Sequence, residues 1–173
     1  VLEIQRKTLE KPEIYFGLET EVRISEQIPI GESTGVDVPG QLWKRYHMEK
    51  ASIEANLNTT VEMGMSHTEG TSQNLFTYFA GGLVQNIPDR LQDGFVKREL
   101  SAGEYIVCRV EAENFEDLVT VALDQASKYL FGIWLPRHNL TTEPFSAEKY
   151  YRDSEGMACM EIWVKPLPLE NKC

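Results

Sequence analysis

One pattern occurs twice in this chain and limits what it can fold into. Residues 2–9 alternate loosely, pass through Glu10-Lys-Pro12 and continue as the apolar run Ile14-Tyr-Phe-Gly-Leu18. Later, Lys97-Arg-Glu-Leu100 leads through a turn at Ser101-Ala-Gly103 into Glu104-Tyr-Ile-Val-Cys-Arg-Val110. Period-two alternation bounded by Gly and Pro reads as strand, turn and strand. Leu9 and Glu13 fall on Leu100 and Glu104 at a constant offset, and a helical pattern follows each copy. The pattern reads as an internal duplication of strand-strand-helix-strand halves, with two unrelated hairpins as the alternative. Its consequence is an α+β fold: one antiparallel sheet carrying two long helices on one side, over a single domain spanning residues 1–173.

The first helix is expected to open near Asp37-Val-Pro39, with Pro39 in the first turn where a missing N–H costs nothing, and to run from Val38 to Leu57. Leu42 and Trp43 mark its inner face. The second is expected over Phe115 to Trp134, where Phe115, Leu118, Val119, Ala122, Ala126, Leu130 and Ile133 recur at helical spacing. Asn114 supplies its cap, Glu116 and Asp117 sit at the positive end of its dipole, Gly132 weakens its last turn and Pro136 stops it. Residues 60–68 and 75–84 read as strands joined by the polar linker Glu69 to Asn74. Gly81 and Gly82 read as a strand bulge or a close backbone approach. Ile28 to Gly35 is a loop, a candidate lid. Between Arg137 and Gly156 the chain is polar, and Ser146 is expected to cap a short helix through Tyr151.

Composition narrows the chemistry. Seventeen Lys and Arg against 27 Asp and Glu leave a net charge of −10, which repels phosphate backbones, so direct nucleic-acid binding is disfavoured and cationic partners are favoured. Cys108, Cys159 and Cys173 show no paired spacing, and the first two lie in apolar strands, which fits a reducing cytoplasm. No apolar run approaches the roughly 18 residues of a membrane span, and no signal-peptide pattern begins the chain. The three histidines are scattered, with no CxxC or HExxH spacing, no glycine-rich phosphate loop and no nucleophile elbow. No metal or other cofactor is expected. Two glycosylation sequons, at Asn58 and Asn139, are discounted as chance matches.

The chemistry-bearing anomaly is in the closing stretch Met157-Ala-Cys-Met-Glu-Ile-Trp-Val-Lys-Pro-Leu167. Strand alternation puts Cys159, Glu161 and Trp163 on one face and Met160, Ile162 and Val164 on the other. An acid buried there without a partner has its charged form disfavoured and its pKa raised. Either Glu161 is solvated or paired with a basic residue, or it has a task.

Leu42-Trp43, Phe76-Thr-Tyr-Phe-Ala-Gly81, Ser101-Ala-Gly-Glu-Tyr105, Trp134-Leu-Pro136 and Glu161-Ile-Trp163 occur in an order and spacing that cover nearly the whole chain. Together they resemble the gyrase-inhibitor-like family, the small-molecule-binding domain also found as the effector-binding half of AraC-type and MerR-type bacterial transcription regulators. The resemblance implies a pocket in which the strand glutamate meets cationic, lipophilic ligands. The residues assigned to it are Glu161, Tyr78, Trp134, Tyr105, Trp163 and Trp43, an aromatic box around one acid suited to a flat organic cation. One departure is Glu62-Met-Gly-Met-Ser66, where the family often has an aromatic and Met63 or Met65 would soften the wall. Three functions follow: a free-standing or excised binding module for cationic amphiphiles; a hydrolase of reactive electrophiles with Glu161 as general base and Tyr78 or Tyr105 polarising the substrate; or a protein-binding inhibitor that presents its acidic surface to a basic partner.

Overall fold

The structure is a computed structural model that describes residues 2–23, 37–68, 75–152 and 158–169. Its elements, in chain order, are β1 (Leu2–Leu9), β2 (Glu13–Arg23), α1 (Val38–Glu49), β3 (Leu57–His67), β4 (Leu75–Val84), β5 (Val96–Leu100), β6 (Gly103–Ala112), α2 (residues 115–137), β7 (Leu140–Thr142), β8 (Phe145–Arg152), β9 (Ala158–Val164) and β10 (Pro166–Pro168). β7 and β10 form a separate pair. The other eight strands form one sheet in the order β1-β6-β9-β8-β3-β4-β2-β5, antiparallel throughout.

That order shows the duplication in a form the sequence hid. β1 and β2 follow one another but do not pair; β1 pairs with β6, and β5 pairs with β2. Each half therefore lends its first strand to the other, and each consists of two strands, a helix and two strands. β1 and β2 are six strand spacings apart in the sheet order, about 29 Å if it were flat. The chain from Leu9 to Glu13 spans at most about 14 Å, and the step from Leu100 to Gly103 is shorter still. The sheet must curl until its two edges approach.

The inside of the curl is the face without helices. There Tyr15, Met63, Met65, Phe79, Leu100, Tyr105, Val107, Ala147 and Trp163 form one core drawn from both halves. On the outer face each helix builds its own core. α1 packs Leu42 and Tyr46 with Phe16, Leu18, Tyr78 and Ala80 on β2 and β4. The second helix packs Leu118, Ala126, Leu130 and Leu135 with Ile106, Cys108, Met160 and Ile162 on β6 and β9. The central strands β3 and β8 form the floor between the two helices.

Several boundaries differ from expectation for identifiable reasons. Asp37 caps α1 by accepting from the Gly40 N–H, but α1 stops at Glu49 and two short 3₁₀ turns, Lys50–Ser52 and Glu54–Asn56, lead into β3. Asn114 caps the second helix through the Asp117 N–H at 2.8 Å. That helix continues through Pro136 to Arg137, because stretches of wider π-helical turns at Leu118–Ala122 and Leu130–Trp134 alter its hydrogen bonding. The helix expected from Ser146 to Tyr151 is instead strand β8, held between β3 and β9; two flanking ladders override the helix propensity of Ala, Glu and Lys. Tyr15 and Tyr105 occupy the same inner core, so Glu13 corresponds to Gly103 and not to Glu104, the second connection being one residue shorter. The candidate lid at 28–35 and the linker at 69–74 lie outside the described residues.

Gly17 and Gly81 face each other where β2 and β4 cross, and a Cβ on Gly17 would strike the Ala80 carbonyl. Gly17→Ala is expected to lower stability by about 2 kcal/mol or more, read from urea unfolding; an unchanged midpoint would contradict this packing.

Candidate functional site

Two acids stand one residue row apart in the middle of the sheet, on opposite faces. On the inner face, Lys149, Glu161 and Arg109 are neighbours across β8, β9 and β6, so alternation and register alone place a carboxylate between two cations. Glu161 is 2% exposed and accepts hydrogen bonds from the Tyr151 hydroxyl at 2.8 Å, the Lys7 ammonium at 3.0 Å and the Trp163 indole N–H at 3.2 Å. Arg109 lies 3.6 Å away. Burial by itself would raise the Glu161 pKa, but the hydrogen bonds from Tyr151 and Lys7 and the Lys7 charge outweigh it and hold the carboxyl below its ordinary range.

Beside it Lys149, also 2% exposed, donates to Glu13 at 2.5 Å and lies 3.5 Å from the centre of the Trp163 ring. Tyr15 donates to the same Glu13 oxygen at 2.9 Å. The cation expected over Trp163 is therefore already present, as a side chain of the chain itself. Tyr105 belongs to this face too, 5.2 Å from Trp163, with its hydroxyl donating to the Ser101 carbonyl.

The other three residues assigned from the sequence are on the outer face. Tyr78 and Trp43 lie in the α1 core, with the Trp43 N–H donating to the Tyr78 hydroxyl at 2.9 Å. Trp134 packs in the second helix's core and stacks on His138 at 3.9 Å. Of the five aromatics only Tyr105 and Trp163 share the face of Glu161; alternation on β4 turns Phe79 to that inner core and Tyr78 to the opposite face.

Sequence reasoning missed the acid on the outer face. Following the pairings across the sheet gives one row: Leu18, Ala80, Gly64, Glu148, Ile162, Cys108, Ile4. Glu148 is the only charged member. Gly64 and Glu148 are partners in the central pairing, and the rest of the row matches outward, Ala80 with Ile162 and Leu18 with Cys108. The local dyad of the two halves therefore passes between Gly64 and Glu148, midway between the helices.

Around Glu148 the surroundings are aromatic. Tyr150 donates to its carboxylate at 2.7 Å, and the Tyr150 ring meets Trp43 edge-on at 5.7 Å and Phe115 at 6.0 Å, bridging both helices. Tyr78 leans across Gly64, where a Cβ would meet the Tyr78 hydroxyl and lie 3.4 Å from Trp43; the missing side chain makes the room. Burial raises the Glu148 pKa against the opposing Tyr150 hydrogen bond, and among the described residues no basic side chain pairs with it. His47 and Glu62, 2.8 Å apart, sit next along the cleft beside Trp43. The period-two run Ser146, Glu148, Tyr150 was the available signal.

Glu161 is therefore part of the sheet's internal support. Its depressed pKa means that the stabilisation is complete above the ordinary carboxylate range and is lost as pH falls through the folded-state value. Glu161→Gln is expected to cost about 2–4 kcal/mol at neutral pH, with the gap from the parent closing in acid, measured by urea unfolding at several pH values. Equal stability at neutral pH would show the network to be idle.

The comparisons with known proteins agree with this architecture. No curated protein matches the sequence. Among solved structures, SAV2435 bound to tetraphenylphosphonium superposes with a TM-score of 0.68 at 15% identity, over 97% of this chain and 96% of that one. An integron cassette protein from the mobile metagenome of Vibrio cholerae gives 0.64 at 15% identity, over 96% and 95%. The EcmrR C-terminal domain gives 0.60 at 13% identity, over 97% and 99%. At these identities the likeness is one of fold. The model of the GyrI-like small molecule binding domain matches residues 7–165, and with that match the chain belongs to the GyrI-like small-molecule-binding family.

Proposed function

We propose that this chain binds a lipophilic organic cation in the cleft between α1 and the second helix, with Glu148 as its counter-charge and Tyr78, Tyr150 and Trp43 as its aromatic surround. The observation that carries this reading is the state of the two acids. Glu161 already has Lys7, Tyr151 and Trp163 as partners, so a ligand cation would have to displace an ammonium to reach it. Glu148 is held by a neutral phenol and is buried enough for its charged form to be disfavoured. A cation arriving at Glu148 relieves that cost and gains aromatic contacts, each worth about 0.5–2 kcal/mol. The aromatic box around a glutamate is retained, but around a different glutamate. That SAV2435 was solved with tetraphenylphosphonium makes that cation a suitable probe.

The site has a cost in stability. A carboxyl whose folded-state pKa is raised destabilises the fold fully above that value, and the cost disappears as pH falls below the ordinary carboxylate range. Glu148→Gln is therefore expected to raise the unfolding midpoint at neutral pH and to weaken tetraphenylphosphonium binding at least about tenfold, in isothermal titration calorimetry. Parent affinity should fall as acid protonates Glu148, and the Gln variant should lose that pH dependence. An unchanged Kd in Glu148→Gln would end this reading, whereas selective loss in a Glu161 variant that remains folded would return the site to the inner face.

A further inference from the structure

The outer face continues along β3 and β8 beyond Glu148. The next outer-face pair along β3 and β8 is Ser66 opposite Ser146, with Tyr78 opposite Ser66 on β4. This pair lines an open cavity of about 390 Å³ together with Phe76, Phe131, Thr142, His67 and Glu143. The hydroxyls of Ser66, Ser146 and Thr142 make no hydrogen bond with any described residue. Two serines facing each other on the sheet share this cavity with two phenylalanines, so it combines hydrogen-bonding groups with apolar surface.

We propose that this cavity is a second subsite of the same ligand, for a neutral hydrogen-bonding group such as an amide, ester or carbamate carried on an aromatic or aliphatic frame. The inference rests on the Glu148 reading and specifies its ligand class. Ser146 and Glu148 are two residues apart on one strand and point the same way, which separates the subsites by about 7 Å. A ligand with its cation over Glu148 therefore places a group about 7 Å away above Ser66 and Ser146. A carbonyl there accepts from the serine hydroxyls in place of water, while Phe76 and Phe131 contact the frame. A cation without such a group leaves these hydroxyls to water and gains nothing from this end. The preference therefore comes from exchanging water for a ligand carbonyl at the two hydroxyls and from apolar contact with Phe76 and Phe131. The cavity thus separates amphiphilic cations with an internal polar group from purely hydrocarbon ones.

A matched pair of probes tests this: benzyltrimethylammonium and its 4-carbamoyl derivative, whose amide carbon lies about 7 Å from the nitrogen, the subsite spacing. With the parent protein, calorimetry is expected to show the carbamoyl compound binding about tenfold more tightly. In the Ser66→Ala, Ser146→Ala double variant the two compounds should bind alike, with the affinity for benzyltrimethylammonium unchanged. Ser146→Phe, which fills the cavity, should also abolish the preference. Equal affinity of the two compounds for the parent, or a preference that survives in the double variant, overturns the subsite. Glu148→Gln separates this from failure of the underlying reading: if it leaves benzyltrimethylammonium binding unaltered, or if neither compound binds the parent, the cleft reading fails and the subsite with it.

Discussion

Two short connections govern this structure. Residues 10–12 and 101–102 each join strands that stand near opposite edges of an eight-stranded sheet, and chain length forbids that arrangement unless the sheet curls. Curling produces the division of the molecule into an enclosed inner face, where both halves share one core, and an outer face on which two helices sit apart. It also explains why the outer cores are separate clusters while the inner one is common to both. A cleft between the helices follows, because each helix covers the strands of its own half and the central pair β3–β8 is left between them.

The same geometry sets the chemistry of the two acids. On the inner face a lone carboxylate would be untenable, and the register supplies Lys149 and Arg109 on either side while Lys7 reaches in from β1. Because Lys7 is on β1, the exchanged strand, the network links the halves as the backbone ladder does. On the outer face the row containing Glu148 is otherwise apolar, and the carboxylate faces the gap between the helices with a tyrosine for a partner. One residue of alternation therefore separates an acid stabilised by charges from an acid kept at a cost, and an acid kept at a cost suits a binding task.

Much of the fold could be read from the chain. Asn114 was legible as a helix cap because the cap interaction is local, the start of the first helix was legible near Asp37-Val-Pro39, and the second helix was legible in its 3.6-residue periodicity. Gly81 was legible as a point of close approach, which the structure places against Phe16 and Phe79. Glu161 was recognised as an acid in a burial-prone strand, and its face was assigned correctly, since alternation is a property of one strand. Strand β8 was not recognised: Ala, Glu and Lys favour helix locally, and what makes the segment a strand is a pair of ladders with residues far away in sequence.

The sequence by itself determined the local terms: which segments alternate, which carry helical periodicity, where caps and turns fall, that a motif repeats, and that its members in order match a family. The tertiary structure alone decided which strands pair, and hence that β1 and β5 are exchanged between halves. It also decided which residues share a face across different strands, and hence that Tyr78 and Trp43 lie on the face of Glu148 and not on that of Glu161. The reason is that pairing and register are contacts between distant segments, fixed by loop length, by curl and by the packing of two cores at once. No window of sequence contains them.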